Sequence, residues 1–104
     1  MPKKKFDPAR NTYRVTFTLP ADVNAETACL CGDFNAWDKE AHPMKKQKDG
    51  SFKAALTLEP GRHYHFRYFL DGERWENDWE ADAYVPNEFG SEDSVLSLEA
   101  PSEN

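Results

Sequence analysis

The sequence contains no apolar run of the length that a membrane-spanning helix needs, which is about 20 residues. Its basic start, MPKKKFDPARN, is not followed by the apolar segment of a secretory signal. Glycine-rich phosphate loops and the sequence motifs of nucleophilic enzymes are also missing. From these absences we expect a soluble, cytoplasmic protein that makes no membrane contact.

Positive charge is in the minority, because 13 Lys and Arg side chains face 19 Asp and Glu side chains, and the formal net charge is −6. An acidic surface repels the phosphates of a polyanion, so we expect no nucleic-acid partner. The acidic run Glu76, Asp78, Glu80 and Asp82 lacks the glycine and the twelve-residue spacing of a calcium loop. It is more simply interpreted as a solvated acidic face.

Cysteine is scarce, and the two that are present, Cys29 and Cys31, are two residues apart in a predicted strand. Side chains at that spacing share a face but diverge too far for an unstrained disulfide. We therefore expect free thiols. The chain's three histidines do not have the spacing of a metal-binding triad, and a domain of 104 residues is large enough to fold without a metal or a disulfide. No metal and no cofactor are expected.

Three segments, residues 13–19, 52–58 and 63–70, alternate apolar and polar residues with a period of two, which is the pattern of a half-buried strand, and residues 95–98 supply a last short strand. Turn signals separate them, namely Asp49-Gly50, Pro60-Gly61 and Asp71-Gly72. No segment has a sustained helical period. The pattern predicts an all-β fold, an immunoglobulin-like antiparallel β-sandwich over residues 12–98, between a flexible segment 1–11 and a flexible tail 99–104.

The tryptophans Trp37, Trp75 and Trp79 all fall outside these strands, in or beside turns. An indole in such a place can lie over the rim of a sandwich with its N–H bonded. In the strand 63–70, however, the alternation places Arg67 on the face opposite the core, and the Asp71-Gly72 turn brings Trp75 back beside it. A cation and an indole together on an outer face favour a binding surface.

The strings GDFNAWD, DGSFKAALTLEPGRHYHFRYFLDGERWENDW and PNEFGSEDSVLSL resemble the glycogen- and starch-binding domains of carbohydrate-binding module family 48. This family includes the β-subunit domain of AMP-activated protein kinase and the amino-terminal domains of isoamylases and branching enzymes. The likeness covers residues 13–98 and implies the early-set immunoglobulin-like sandwich. The chain is similar to the small stand-alone bacterial members of the family.

The resemblance implies a set of carbohydrate-binding residues. Trp37, after the G-D-F-N corner, matches the family's first stacking platform, and Trp75 matches the second, with one more residue before it than in the kinase domain. Arg67 matches a basic residue that is lysine in the kinase domain. It keeps the positive donor but presents it as a planar fork.

In the closing loop, Phe89 matches a bulky apolar residue, and Ser91 matches a threonine. Asp93 stands where the family has an asparagine, and this is a departure, because a carboxylate accepts hydrogen bonds from sugar hydroxyls but cannot donate as an amide does. The implied site therefore comprises three residues from this loop in addition to Trp37, Arg67 and Trp75.

The resemblance implies a non-catalytic module that binds α-1,4-glucans, such as glycogen, starch or maltooligosaccharides, in carbohydrate metabolism. The alternative is a docking or regulatory module for a glucan-metabolising enzyme or a kinase, with the same aromatic face serving as a protein contact. No catalytic residue is expected, because a glycosidase needs two carboxylates held across a cleft, one of them with a raised pKa. We expect the domain to be a monomer.

Overall fold

The protein is described here by a computed structural model that covers residues 2–88 and 90–100. The predicted all-β, immunoglobulin-like antiparallel sandwich is confirmed. In order along the chain, the strands are β1 (Lys3–Asp7), β2 (Thr12–Leu19), β3 (Ala28–Gly32), β4 (Lys45–Lys46), β5 (Phe52–Leu58), β6 (Arg62–Leu70), β7 (Arg74–Glu76), β8 (Ala83–Pro86) and β9 (Glu92–Leu98). A 3₁₀ turn at Ala21–Val23 precedes β3. Within the described ranges, no helix is long and apolar enough to cross a membrane.

The strands form two sheets. The four-stranded sheet has the order β1-β2-β5-β4, and the five-stranded sheet has the order β3-β6-β9-β8, with β7 also paired to β6. Strand β6 is the centre of the second sheet, since its C-terminal half pairs with β3 on one edge while β9 and then β7 follow one another along its other edge. Every pairing is antiparallel.

Alternation along the strands decides which side chains enter the core. In β6 every second residue is buried while the residues between them face outward, as the sequence pattern predicts. The core is formed mainly by inward side chains of β2, β5, β6 and β9; these include Val15, Phe17, Leu19, Phe52, Tyr64, Phe66, Tyr68, Leu70, Leu96 and Leu98. The outward residues of β6 are therefore free to build a second surface.

The two Asp-Gly turns close hairpins, β4–β5 and β6–β7. At the second one, Asp71 and Gly72 have φ angles of 53° and 68°, and the Glu73 amide donates to the carbonyl of Leu70 at 3.0 Å. These angles are those of a type I′ turn, whose twist matches that of the flanking strands. The Pro60-Gly61 turn differs, because it carries the chain from the four-stranded to the five-stranded sheet.

The outer edges of the sheets contain strands that the alternation did not indicate. Strand β1 lies within the segment 1–11 that the sequence predicts to be flexible, and it pairs in full with β2. Strand β4 has two residues, and β8 ends at Pro86. Beside β3, the segment 42–44 forms further ladder bonds, in which the Leu30 amide donates to His42 and the Met44 amide to Ala28, and it includes Pro43.

The Asp71 side chain connects the β6–β7 hairpin to the segment before β3. Its Oδ1 accepts the Thr27 amide at 3.0 Å and the Glu26 amide at 2.7 Å. These two bonds favour the charged carboxylate and lower the pKa of Asp71 below its usual value, with Thr27 the larger cause. The Asp71 carboxylate thus helps to hold a hairpin whose position fixes one side of the outer surface, together with the Asp71 amide, which donates to the Thr27 carbonyl.

The Asp71→Asn variant should be less stable than the wild type at neutral pH. Because the folded-state pKa of Asp71 is lowered from 3.8, its charge stabilises the fold above that pH, and the contribution is lost as the pH falls through the lower folded-state value. Asparagine tolerates the positive φ and keeps an acceptor oxygen, so the variant removes mainly the charge. Urea unfolding from pH 7 to pH 2 should show the difference between the two proteins shrinking in acid. A difference that is constant with pH would contradict this role.

Candidate functional site

Four of the six predicted site residues line one open groove of about 830 Å³ on the outer face of the five-stranded sheet. They are Trp37, Arg67, Trp75 and Asp93. Five further residues complete the lining, namely Lys39, His65, Pro86, Asn87 and Glu88. The walls come from the loop after β3, from β6 and β7, from the end of β8 with the loop that follows it, and from the start of β9.

The corner GDFNAW begins with a glycine because the chain passes very close to β6. A Cβ built on Gly32 would lie 2.5 Å from the carbonyl oxygen of His65, which is a backbone clash. The next residue, Asp33, donates its amide to the same carbonyl at 3.0 Å and accepts the His65 amide on Oδ2 at 3.1 Å. The third, Phe34, packs against the core aromatic rings of Phe17 and Tyr64. The corner is therefore fastened to β6 and to the core.

Asn35 holds the corner in its turned shape. Its Oδ1 accepts the Gly32 amide at 3.1 Å, while its Nδ2 donates to the carbonyl of Leu30 at 3.0 Å. Nδ2 also lies 2.8 Å from Nδ1 of His42. Because both Asn35 backbone bonds fix the orientation of the amide, Nδ1 of His42 is the acceptor in this contact.

Ala36 and Trp37 both have left-handed backbone conformations, with φ angles of 57° and 59°. Such angles are rare for residues other than glycine, asparagine and aspartate, and they cost about 1–2 kcal/mol per residue. The Trp37 amide donates to the carbonyl of Gly32 at 2.8 Å, which helps to hold this conformation. Strain of this kind persists where the surrounding structure imposes it, and here it places an indole at the groove.

Arg67 and Trp75 meet as the hairpin register predicts. Trp75 pairs with Phe69, which lies two residues from Arg67 on the outer face of β6. The Arg67 guanidinium carbon is 5.6 Å from the centroid of the Trp75 ring, within the range of a cation–π contact. Among the described residues, the buried Nε of Arg67 has no hydrogen-bond partner.

The two indoles adjoin rather than lying apart along the groove. Their ring centroids are 6.4 Å apart, and the rings meet edge to face. Trp75 also packs against Phe69 at 4.7 Å, and the ammonium of Lys39 is 5.6 Å from its centroid. Within the described part of the chain, the ring of Trp37 makes no other aromatic or cation contact, and both indoles are half-buried.

Charges of both signs balance across the groove, since Lys39 and Arg67 face Glu88 and Asp93. Asp93 is nearly covered and is held within the site. Its Oδ1 accepts a hydrogen bond from the side-chain Nδ2 of Asn87 at 3.1 Å, and its Oδ2 lies 3.6 Å from Nδ1 of His65. A groove without strong net charge suits a neutral ligand that offers hydroxyl groups.

The other two predicted residues are placed differently. Ser91 is exposed in the turn beside the groove, where its amide donates to Oδ1 of Asn87, but it does not line the groove. Phe89 lies outside the described residues. The sequence analysis did not include Lys39, Asn87 or Glu88, which loops bring into the groove. The alternation of β6 does predict His65 on the outer face beside Arg67, and His65 lines the groove there.

Cys31 lies beneath the corner, paired in register with Arg67, and its Sγ is 3.5 Å from the carbonyl oxygen of Asp38. Burial raises the pKa of its thiol to about 11, with Cys29 and Asp38 adding to the shift. The pKa of Cys29 is also raised, first by burial and then by Glu40. Both thiols are free. In the portion of the chain that the structure describes, no three His, Cys, Asp or Glu side chains are grouped to hold a metal ion.

Comparison with known proteins relates this chain to a carbohydrate-binding family. Residues 6–85 match the family model of carbohydrate-binding module 48, described as the isoamylase N-terminal domain. The chain is also similar to the 1,4-alpha-glucan branching enzyme GlgB of Aquifex aeolicus (strain VF5), with 38% identity over 71 residues. That alignment covers 65% of this chain and 11% of the enzyme, so the chain corresponds to a small part of that protein.

The Ala36→Gly variant should be more stable than the wild type by up to about 1 kcal/mol, because glycine adopts the left-handed conformation without a Cβ penalty. Urea unfolding measures the difference. Ala55→Gly is the matched control, since Ala55 is exposed in strand β5, where glycine should cost about 0.5–1 kcal/mol. If Ala36→Gly destabilised the protein as much as the control, the corner would not be strained.

Neither thiol should react quickly in the folded protein at pH 8. With a pKa of about 11, the Cys31 thiol is about one part in a thousand thiolate at that pH. Half-exposed Cys29 should react first with Ellman's reagent, and Cys31 only after unfolding. In Cys29→Ser the slow native-state reaction should disappear, whereas the reaction in denaturant should remain. Rapid titration of two thiols in the native protein would show that the corner does not cover Cys31.

Proposed function

The chain belongs to the carbohydrate-binding module 48 family, and from this membership and the form of the groove we propose that it binds α-1,4-glucans without cleaving them. The ligands are glycogen, starch and maltooligosaccharides, and the site is the groove that contains Trp37, Arg67 and Trp75. Glucan binding also agrees with the name of the Aquifex relative, a 1,4-alpha-glucan branching enzyme. A cytoplasmic location and a monomeric state remain predictions.

The observation that carries the proposal is the state of the Arg67 guanidinium. It stacks on Trp75 inside the groove, and the described residues make no hydrogen bond to its Nε. A buried donor of this kind is costly to leave unpaired. The buried Nε is closed to solvent, but a ligand with acceptor oxygens beside an apolar face would pair with the other N–H groups of the guanidinium and cover the ring at once, and a glucose unit has both features.

The indoles supply the apolar part of the interaction. One face of a glucose ring carries axial C–H groups and is effectively apolar, so it leaves water favourably for a flat aromatic surface. Trp37 supplies one surface, and Trp75, which meets it edge to face, supplies the second surface at an angle to the first. Two rings set at an angle fit the curvature of an α-1,4-glucan.

The closing loop supplies polar contacts. Asp93 orients Asn87 and His65, and its remaining lone pairs accept from sugar hydroxyls. Ser91 and Phe89 are carried over from the family resemblance as proposed sugar contacts. An open groove leaves much of the ligand wet and must order a flexible chain, so we expect a dissociation constant between about 10 μM and about 1 mM for an oligosaccharide.

Catalysis is not part of the proposal. The carboxylates that line the groove are those of Glu88 and Asp93. Asp93 already accepts a hydrogen bond from the Asn87 side chain and lies beside the His65 ring. An open groove also does not exclude water from a carboxyl group as a general acid requires. Incubation with amylopectin should release no reducing sugar.

A docking role is the second candidate, and the relative favours it, since the matched 71 residues are part of a larger enzyme. In that case the Trp37 and Trp75 rings would bury against another protein domain. A partner captured in stoichiometric amount and not displaced by maltoheptaose would favour docking. Displacement by the sugar would favour the glucan groove.

Trp37→Ala should weaken maltoheptaose binding by about 30-fold, which corresponds to the loss of about 2 kcal/mol from a central aromatic contact. Isothermal titration calorimetry measures the affinity. The left-handed backbone at position 37 is no more strained with alanine than with tryptophan, so the midpoint of urea unfolding should change little.

Phe6→Ala is the matched control, because Phe6 is a half-buried aromatic residue of the opposite sheet that packs on Tyr13. It should leave the affinity unchanged. A folded Trp37→Ala protein that binds maltoheptaose like the wild type would reject the groove as the glucan site.

A further inference from the structure

Trp79 is the most exposed large apolar side chain of the described residues, with 53% of its surface accessible, and it does not line the groove. Tyr84, at 42%, is next. The two groove indoles, by contrast, are half-buried. An indole that remains in water costs free energy unless something covers it, so Trp79 calls for an explanation separate from the groove.

Hydrogen bonds of Tyr84 and Asp78 hold the turn that carries Trp79. The Tyr84 hydroxyl donates to the carbonyl of Asp78 at 2.6 Å and accepts the Ala81 amide at 3.2 Å, which closes the turn on both sides of Trp79. The Asp78 carboxylate is buried, with 1% of the residue exposed, and it accepts the Tyr68 hydroxyl at 2.6 Å and the Glu80 amide at 2.8 Å. A ring on such a rigid turn is presented to a ligand at small entropic cost.

Just over half of the surface of Trp79 is accessible. Its Nε1 donates to Oε1 of Glu76 at 3.3 Å, a bond that lies along the ring plane and covers neither face. Within the described ranges, no cation and no other aromatic ring stacks on it, whereas Trp75 has Phe69, Lys39 and Arg67 around it. The bond to Glu76 fixes the ring and leaves the second carboxylate oxygen available.

The neighbourhood of Trp79 selects the chemistry of the occupant. The accessible acidic side chains next to it in sequence are those of Glu76 and Glu80, while Asp78 is buried. A polyanion would be repelled, and an apolar protein contact requires a contiguous apolar surface that these residues do not supply. A neutral sugar fits, because its C–H face covers the ring while its hydroxyls donate to carboxylates.

We propose that Trp79 is a second, independent platform for a neutral glucan chain, with Glu76 as the acceptor of sugar hydroxyls. Trp75 and Glu76 are adjacent in strand β7 and therefore point to opposite faces of the sheet, and Trp79 is tied to Glu76. The Trp79 platform and the groove therefore lie on opposite sides of strand β7, so the two sites bind different segments of a glucan chain. The identity of the ligand rests on the proposed function, but the platform itself does not.

Nuclear magnetic resonance of the indole N–H groups tests this directly, because the chain has three tryptophans and so three such signals. Each is assigned by its Trp→Phe variant, and the wild type is titrated with maltoheptaose. The Trp79 signal should shift with its own saturation curve, and it should do so equally in Trp37→Ala. A Trp79 signal that stays still while the Trp37 and Trp75 signals saturate would overturn the platform.

The same spectra separate the two proposals. A shift of Trp79 alone would support the platform and reject the groove, and shifts of Trp37 and Trp75 alone would do the reverse. If no signal moved, both would be rejected.

Retention on immobilised glycogen gives a second measurement. Two sites that engage one polymer gain affinity from effective concentration, so Trp79→Ala should reduce retention by about tenfold or more while maltoheptaose affinity at the groove stays within about twofold. Trp79→Phe keeps an aromatic face and should retain more than Trp79→Ala. Equal retention of wild type and Trp79→Ala would overturn the proposal.

Discussion

The approach of Gly32 to the backbone of β6 is the constraint on which the groove depends. No side chain fits between this residue and the carbonyl of His65, and only because the two backbones touch can Asp33 bond to β6 in both directions. These contacts fix the direction in which the chain leaves strand β3. Asn35 closes it, and the left-handed backbone that follows projects Trp37 over the outer face of the sheet. The indole is thus positioned by backbone contacts made several residues before it.

The outer surface combines features that are individually weak. Trp37 and Trp75 provide apolar faces at an angle, Arg67 provides donors beside them, and the acidic residues of the closing loop cancel the positive charge. Any one of these occurs by chance on the surface of a sheet. Together on one face they suit a ligand that is neutral, flat on one side and rich in hydroxyls. The exposed ring of Trp79 lies on the far side of β7 and repeats part of this chemistry with carboxylates in place of a guanidinium.

The sequence predicted the parts of the fold that follow from period-two alternation and Asp-Gly turns. These rules correctly place Arg67 and Trp75 side by side, because hairpin register is a local property. These rules do not predict strand β1, because its lysine-rich sequence shows no alternation and the strand forms by pairing with β2. Lys39 and Glu88 were missed for a similar reason, since long-range packing decides where a loop side chain ends up. Resemblance to a family supplied the identity of the stacking residues, which spacing alone did not.

Each exposed edge of the two sheets is poorly suited to accept another strand. Strand β1 carries three consecutive lysines, β4 is only two residues long, β8 ends in Pro86, and β3 is flanked by a segment containing Pro43. A polymer with many identical chain ends would gather many copies of such a domain at high local concentration. Crowding of that kind promotes edge-to-edge aggregation of β proteins. Blunted edges would let neighbouring copies occupy one particle without joining into a continuous sheet.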